Sequence, residues 1–268
     1  MNKSKRLGIV GAGNMASAIA NAILDNNVFD VDNVIITDID PSKLEQFTKK
    51  GIRATTDITE LAVNSDYILL GVKPAVVPAV LENLKPYCKD KSIITIAAGV
   101  KTDKIKDILG YKIPVVRVMP NMTLSVGKGA AAIGKADVPE EFFNTVLEIF
   151  SSAGIAEVME EDLLDAVTGI NGSSPAYFYH ILDIMAQSAE EQGLDYISAL
   201  RLAAMTMEGS AIMLRNSSDT PEALVSKIAT PGGTTRAALD EMENNHLTDA
   251  IKKGLLACTK RSKELSES

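Results

Sequence analysis

The chain has no tryptophan, only two cysteines and two histidines among 268 residues, and 4% aromatics in all. Each shortage excludes something. So few His and Cys side chains argue against a metal centre built from them, and no metal ligand is assigned. The lack of aromatics leaves no stacking platform for bases and no aromatic wall for sugars. Cys88 and Cys258 can form one disulfide at most, so a reducing cytoplasm is the expected compartment. No apolar run reaches the ~18 residues of a membrane span; Tyr67 to Leu81 comes nearest and is broken by Lys73, Pro74 and Pro78. The start Met1-Asn2-Lys3-Ser4-Lys5-Arg6 is basic, yet no signal-peptide core follows it. Positive charge is also short, 27 Lys and Arg against 35 Asp and Glu, a net −8. That balance points away from nucleic acid or an anionic membrane and toward a small-molecule substrate.

What is present is core material, 46% hydrophobic residues, in a chain long enough for two domains at roughly 150 residues each. Leu7–Val10, Val34–Thr37, Tyr67–Leu70, Ser92–Ile96 and Val115–Val118 read as strands. Helical patterns run from about Asn14 to Asn26, over Pro41–Lys50 and over Pro74–Leu84. Near-continuous apolar strands suit a parallel sheet covered on both faces. Further elements are expected at Ala130–Ile133 (strand), Pro139–Phe150 (helix) and Ile155–Val158 (strand). The pattern predicts an α/β, Rossmann-like, doubly wound and mostly parallel sheet over residues 1–161. From 162 to 268 the periodicity is helical. Tyr177–Ala189 and Ala199–Leu214 are apolar around most of their circumference and must be buried on every side. Either a tight monomeric core or a second subunit can do that; the second is preferred, giving a homodimer or higher homo-oligomer. Met205, Met207 and Met213 read as core, His180 as core or interface, and His246 as a solvated turn residue.

Gly11-Ala12-Gly13-Asn14-Met15-Ala16 is a GxGxxA loop between a strand and a helix. Gly11 permits the turn, Gly13 lets the backbone approach a pyrophosphate, and the helix start offers free N–H groups to it. Gly11, Gly13, Asn14 and Met15 are therefore candidate cofactor contacts. Asp38 ends the second strand, where an acid accepts from the adenosine ribose; alternatively it caps the next helix. Beside Asp38 a 2′-phosphate would meet repulsion of up to about 4 kcal/mol at 4 Å and an effective dielectric of 20. This favours NADH over NADPH, although Lys43 stands close enough in sequence to rescue a phosphate. Val72-Lys73-Pro74 and Ala97-Ala98-Gly99 follow strands at their carboxyl ends, where ligands bind in such sheets. Lys73 is a cofactor contact or a solvated lysine.

In the helical part, Thr168 to Tyr177 is a patch of small residues, fit for close helix packing or for a site. Thr230-Pro231-Gly232-Gly233-Thr234-Thr235 fixes a turn whose amides and hydroxyls converge on one anion, or else simply cap a helix.

These blocks resemble the pyrroline-5-carboxylate reductase family over essentially the whole chain. The resemblance rests on Gly-Ala-Gly-Asn-Met at 11–15, Val-Lys-Pro at 72–74, Ala-Ala-Gly-Val at 97–100 and Arg-Val-Met-Pro-Asn at 117–121. It continues through Glu-Glu-Asp-Leu-Leu-Asp-Ala-Val-Thr-Gly at 160–169, Pro-Ala-Tyr at 175–177 and Pro-Gly-Gly-Thr-Thr at 231–235. It implies reduction of 1-pyrroline-5-carboxylate to L-proline with hydride from NAD(P)H, the last step of proline biosynthesis. It implies a helical domain interlocked with a partner subunit, a substrate carboxylate held by Thr230, Gly233, Thr234 and Thr235, and Thr235 as proton donor near the ring nitrogen. Two places depart from the family pattern: Ser174 stands in Gly172-Ser173-Ser174-Pro175, and Asp38-Ile39 replaces the polar residues of NADPH-using members. A β-hydroxyacid dehydrogenase would carry a catalytic Lys beyond the glycine patch, and Gly172 to Ile181 contains none. A non-catalytic dinucleotide binder and a reductase of another cyclic imino acid are the remaining readings.

Overall fold

The computed structural model describes residues 5–267, so Met1 to Ser4 of the basic start lie outside the described residues. The strands are β1 (Leu7–Val10), β2 (Val34–Thr37), β3 (Arg53–Thr55), β4 (Tyr67–Leu70), β5 (Ser92–Thr95), β6 (Val115–Met119), β7 (Gly129–Gly134) and β8 (Gly154–Met159). They form one sheet in the order β3-β2-β1-β4-β5-β6-β7-β8. Every neighbouring pair is parallel except β6 with β7. The exception has a simple cause: nine residues separate β6 from β7, too few for the crossover that a parallel return needs. Asn121 holds that short connection, its Oδ1 accepting from Thr123 Oγ1 at 2.8 Å and Ala130 N at 3.1 Å.

The helices of this sheet are α1 (Asn14–Asp25), α2 (Glu45–Thr48), α3 (Ile58–Val63), α4 (Val77–Leu84), α5 (Thr102–Leu109) and α6 (Glu140–Ser151). Ile19, Ile23, Phe47, Phe142 and Phe150 from α1, α2 and α6 fill one face. Leu61, Leu81, Leu84, Ile105 and Leu109 from α3, α4 and α5 fill the other. Helices on both faces explain why β1, β2, β4, β5 and β6 are buried at every residue. The helices expected over 41–50 and 74–84 both open with a tight 3₁₀ turn, Pro41–Lys43 and Pro74–Val76. β3, α3 and α5 are additions to the elements read from the sequence.

After β8 come α7 (Leu164–Val167), a wider π turn at Thr168–Gly172, and α8 (Ser174–Glu191), α9 (Tyr196–Asn216), α10 (Pro221–Ile228), α11 (Thr234–Asn244) and α12 (Leu247–Glu267). The chain divides into two compact units: one runs through Pro175 and resumes at Leu256, the other is Ala176–Leu255. The sequence boundary at 161/162 lies at the end of β8, before α7. The chain beyond it stays with the sheet because the acidic run is tied down residue by residue. Glu160 meets Lys135 at 2.6 Å, and Asp162 meets Lys101 at 2.9 Å. Glu161 caps α5, accepting from Thr102 N at 2.8 Å and Thr102 Oγ1 at 2.7 Å. Asp165 is buried against Arg117 at 2.7 Å.

The second unit is all helical and has little core of its own. Of its apolar residues only Leu182, Ala186, Ala199 and Ala229 are buried. Met205 and Met213, expected in a core, are 69% and 62% exposed, as is Leu202 at 65%; Met207 is half-buried and His180 exposed. The correction has a physical reason. Periodicity tells which side chains avoid water, not which chain covers them. Apolar surface on this scale marks an interaction surface. α9 is also long and apolar enough to cross a membrane by length and composition, which no uninterrupted run in the sequence had suggested.

Candidate functional site

The site in the first unit grows out of the turn after β1. Gly11 adopts φ +99°, and a Cβ there would lie 2.8 Å from the Gly71 carbonyl oxygen, so only glycine fits. Its N–H donates to Thr37 O at 2.7 Å, joining the turn to the end of β2. Gly13 is the N-cap of α1 in extended conformation and brings no side chain to the helix start. The first-turn amides of α1 are thereby left facing outward with the positive end of the helix dipole.

Two recesses meet at this turn. One, of about 430 Å³, is lined by Gly11, Gly13, Asp38, Ile39, Lys43 and Lys73 together with Thr56, Ile58, Val76, Val80 and Asn83. The other, of about 420 Å³, is lined by Gly13, Asn14, Met15, Val72, Lys73, Pro74, Ala97 and Ala98, with Met119, Pro120, Thr168, Gly172 and Ser173. Gly13, Gly71, Val72 and Lys73 border both. They lie at the carboxyl ends of β1 and β4, between which the strand order reverses, the usual ligand position of a doubly wound sheet.

Asp38 is drawn into the loop rather than left free. Its Oδ2 accepts from Ala12 N at 2.8 Å, and its Oδ1 from Asp40 N at 3.0 Å, with Lys43 Nζ 3.5 Å away. The cap of the next turn is Asp40 instead, accepting from Ser42 N at 3.0 Å. The Ser42 hydroxyl and amide hold the Asp40 carboxyl below the usual carboxylate range. Asp38 is therefore a positioned acid on the wall of the first recess and not a helix cap.

The cofactor residues predicted from sequence line these two recesses, with one exception: Gly99 is buried behind the turn that Val100 N closes onto Ala97 O at 3.2 Å, and lines neither. Met119, Pro120, Thr168, Gly172 and Ser173 were not assigned from sequence. Their signal lay in the Arg-Val-Met-Pro-Asn block and the small-residue patch.

Thr230, Gly233, Thr234 and Thr235 belong to the second unit. There Gly232, at φ +72°, turns the chain so that Gly233 becomes the N-cap of α11, with no side chain capping it and no acid in the first turn. Gly233 N donates to Thr230 O at 3.0 Å, and a Cβ on Gly233 would meet Thr230 Oγ1 at 2.8 Å. The start of α11 is thus left without a side-chain cap, the arrangement in which free amides and the helix dipole can receive an anion.

The comparisons with known proteins agree with both units. Residues 161–265 match the family described as pyrroline-5-carboxylate reductase dimerisation, and residues 6–99 match NADP oxidoreductase, coenzyme F420-dependent. The pyrroline-5-carboxylate reductase of Methanosarcina acetivorans is 36% identical, with 99% of each chain covered. The chain belongs to the pyrroline-5-carboxylate reductase family. Pyrroline-5-carboxylate reductase 2 of Bacillus subtilis is 34% identical, over 98% of this chain and 96% of that one. The family's fold is shared in full: the Plasmodium falciparum pyrroline carboxylate reductase with NADP bound superposes with TM-score 0.90 at 29% identity, over 98% and 99% of the chains. The family is one of oxidoreductases, and the recess fits a nicotinamide dinucleotide. The fit shows at Gly13, where a Cβ would meet nothing within 4 Å. No left-handed φ requires that glycine, and it caps α1 without a side chain.

Proposed function

We propose that this chain reduces the C=N bond of 1-pyrroline-5-carboxylate to give L-proline, completing proline biosynthesis. The observation that carries the reading is full-length similarity to pyrroline-5-carboxylate reductases, together with the anion site of Thr230–Thr235 in a chain that also has a dinucleotide recess. A nicotinamide cofactor supplies the hydride. Gly11, Gly13, Asn14 and Met15 would hold its pyrophosphate, Asp38 its adenosine ribose, and Val72, Lys73, Pro74 and Ala97 the remainder. The chain's own task is binding and orientation. The α11 amides with Thr230, Gly233 and Thr234 hold the substrate carboxylate, and Thr235 directs its hydroxyl proton to the ring nitrogen. On a neutral imine that proton joins the nitrogen as hydride reaches the carbon, and water replaces it on Thr235; an imine that arrives protonated needs none, and Thr235 Oγ1 then accepts from its N–H, so no strong acid is required of the protein. The test is loss of nicotinamide absorbance with 1-pyrroline-5-carboxylate; oxidation only with a six-membered or other cyclic imino acid would reassign the substrate.

Three expected results follow from this reading. Thr235→Ala lowers kcat/KM about 10- to 150-fold, the worth of one hydrogen bond to a charged group, with cofactor affinity unchanged. Wild-type kinetics in that variant would remove Thr235 from the site. NADH gives a higher kcat/KM than NADPH, because a 2′-phosphate would crowd the fixed Asp38 carboxylate; a strong NADPH preference would refute this use of Asp38. In solution the chain forms a homodimer or larger assembly through the apolar surface of the second unit. A sedimentation profile containing only the 28.6 kDa monomer would contradict this. The two free cysteines are compatible with a reducing cytoplasm.

A further inference from the structure

Arg117 has no part in the reaction just described, yet it is the largest fully buried side chain among the described residues. Its Nη2 donates to Asp165 Oδ1 at 2.7 Å, and Ser262 Oγ donates to the same oxygen at 2.9 Å. Arg117 Nε and Nη1 have no hydrogen-bond partner. A buried ion pair with donors unmet is a poor way to gain stability, since apolar residues of similar volume usually do as well or better. The position of the cluster supplies another reason for it. Arg117 lies two residues before Met119 on β6 and so points to the same face of the sheet. Asp165 lies three residues before Thr168, at the opening of the π turn. Ser262 lies one helical turn after Cys258, whose Sγ is 3.4 Å from Ser173 Oγ. Met119, Thr168 and Ser173 all line the second recess. Asn171, also in the π turn, ties the same parts together through Met119 O at 2.8 Å and Ala130 O at 3.0 Å.

We propose that Arg117, Asp165 and Ser262 are positioning residues that fix the wall of the recess at Met119, Thr168 and Ser173, and through it the alignment needed for hydride transfer. The cluster reaches the reaction only through that wall, and the proposal rests on the reductase reading above. Displacements of about 1 Å at a reacting centre cost on the order of a hundredfold in rate.

The test uses the full-length enzyme and three variants. Arg117→Met/Asp165→Leu replaces the pair with apolar side chains, Ser262→Ala removes the hydroxyl that donates to Asp165, and Ser262→Thr restores it. For the double variant kcat should fall at least about tenfold, and for Ser262→Ala about threefold or more, while cofactor Kd stays within about twofold. The deuterium isotope effect on kcat with cofactor deuterated at the transferred position should rise, and Ser262→Thr should recover most of the loss. A merely structural role would lower Tm and leave kcat per folded molecule and the isotope effect as they were. That result in Ser262→Ala overturns the proposal, even if the double variant does not fold. An unsubstituted enzyme inactive on every cyclic imino acid would instead sink the reductase reading and this proposal with it.

Discussion

Asp165→Ala is expected to lower folding stability by about 3–5 kcal/mol, the usual cost of removing one member of a buried ion pair. The Arg117 side chain is 0% exposed and cannot turn to water when its partner leaves. The Ser262 hydroxyl loses its carboxylate acceptor in the same step. The nearby pairs set the scale by contrast. Lys135 with Glu160 and Lys101 with Asp162 are exposed, and such pairs contribute about 0–1 kcal/mol. Urea unfolding at fixed protein concentration measures the difference as a shift in midpoint at constant slope. A loss below about 1 kcal/mol would mean that water reaches the guanidinium and that the pair behaves as a surface pair.

Gly13→Asp should separate folding from cofactor binding, with effects of opposite sign. Gly13 is the N-cap of α1, and aspartate at an N-cap accepts from the first-turn amides. Its charge also suits the helix dipole, by about 0.3–1 kcal/mol. Nothing lies within 4 Å of the added Cβ, so the ligand-free protein should melt at the same temperature or slightly higher. The cofactor's pyrophosphate needs those same amides. A carboxylate about 4 Å away adds repulsion near 4 kcal/mol at an effective dielectric of 20, roughly a thousandfold in affinity. Thermal melting and a fluorescence titration with NADH and NADPH check both halves. Unchanged cofactor affinity would show that the recess around Gly13 is not the dinucleotide site.

Why some of this was readable and some was not depends on whether neighbours in sequence or distant residues decide each feature. Leu7–Val10, Val34–Thr37 and Tyr67–Leu70 appear within the limits read from sequence because a strand covered on both faces must be a continuous apolar run. β3 sits at the sheet edge, where Arg53 pairs with Glu60 at 2.6 Å and only Ala54 is apolar, so it carries no such run. α5 does bury Ile105 and Leu109 at helical spacing, but its cap comes from Glu161, far along the chain. The glycine turn and Asp38 were legible because a turn and the strand end beside it are local. The wall formed by Thr168, Gly172 and Ser173 was not, because Asp165 and Asn171 set the π turn through contacts with β6 and β7. The Pro-Gly-Gly turn before α11 was legible for the reason Asp38 was, while the exposure of Met205 and Met213 was not, because helical periodicity does not say whether a neighbouring helix covers an apolar face.

The return of the last helix to the first unit has a consequence for synthesis. Asp165 and Ser262 are 97 residues apart in sequence. At about 5–20 residues per second, the second member of that contact emerges some 5–20 s after the first. The unit that carries the sheet therefore cannot reach its final packing before residue 262 has been made, although its whole sheet has already been translated. Until the last turns of α12 arrive, Asp165 has Arg117 without the hydroxyl that completes the cluster. Truncation before Ser262 would thus damage the unit that carries the sheet.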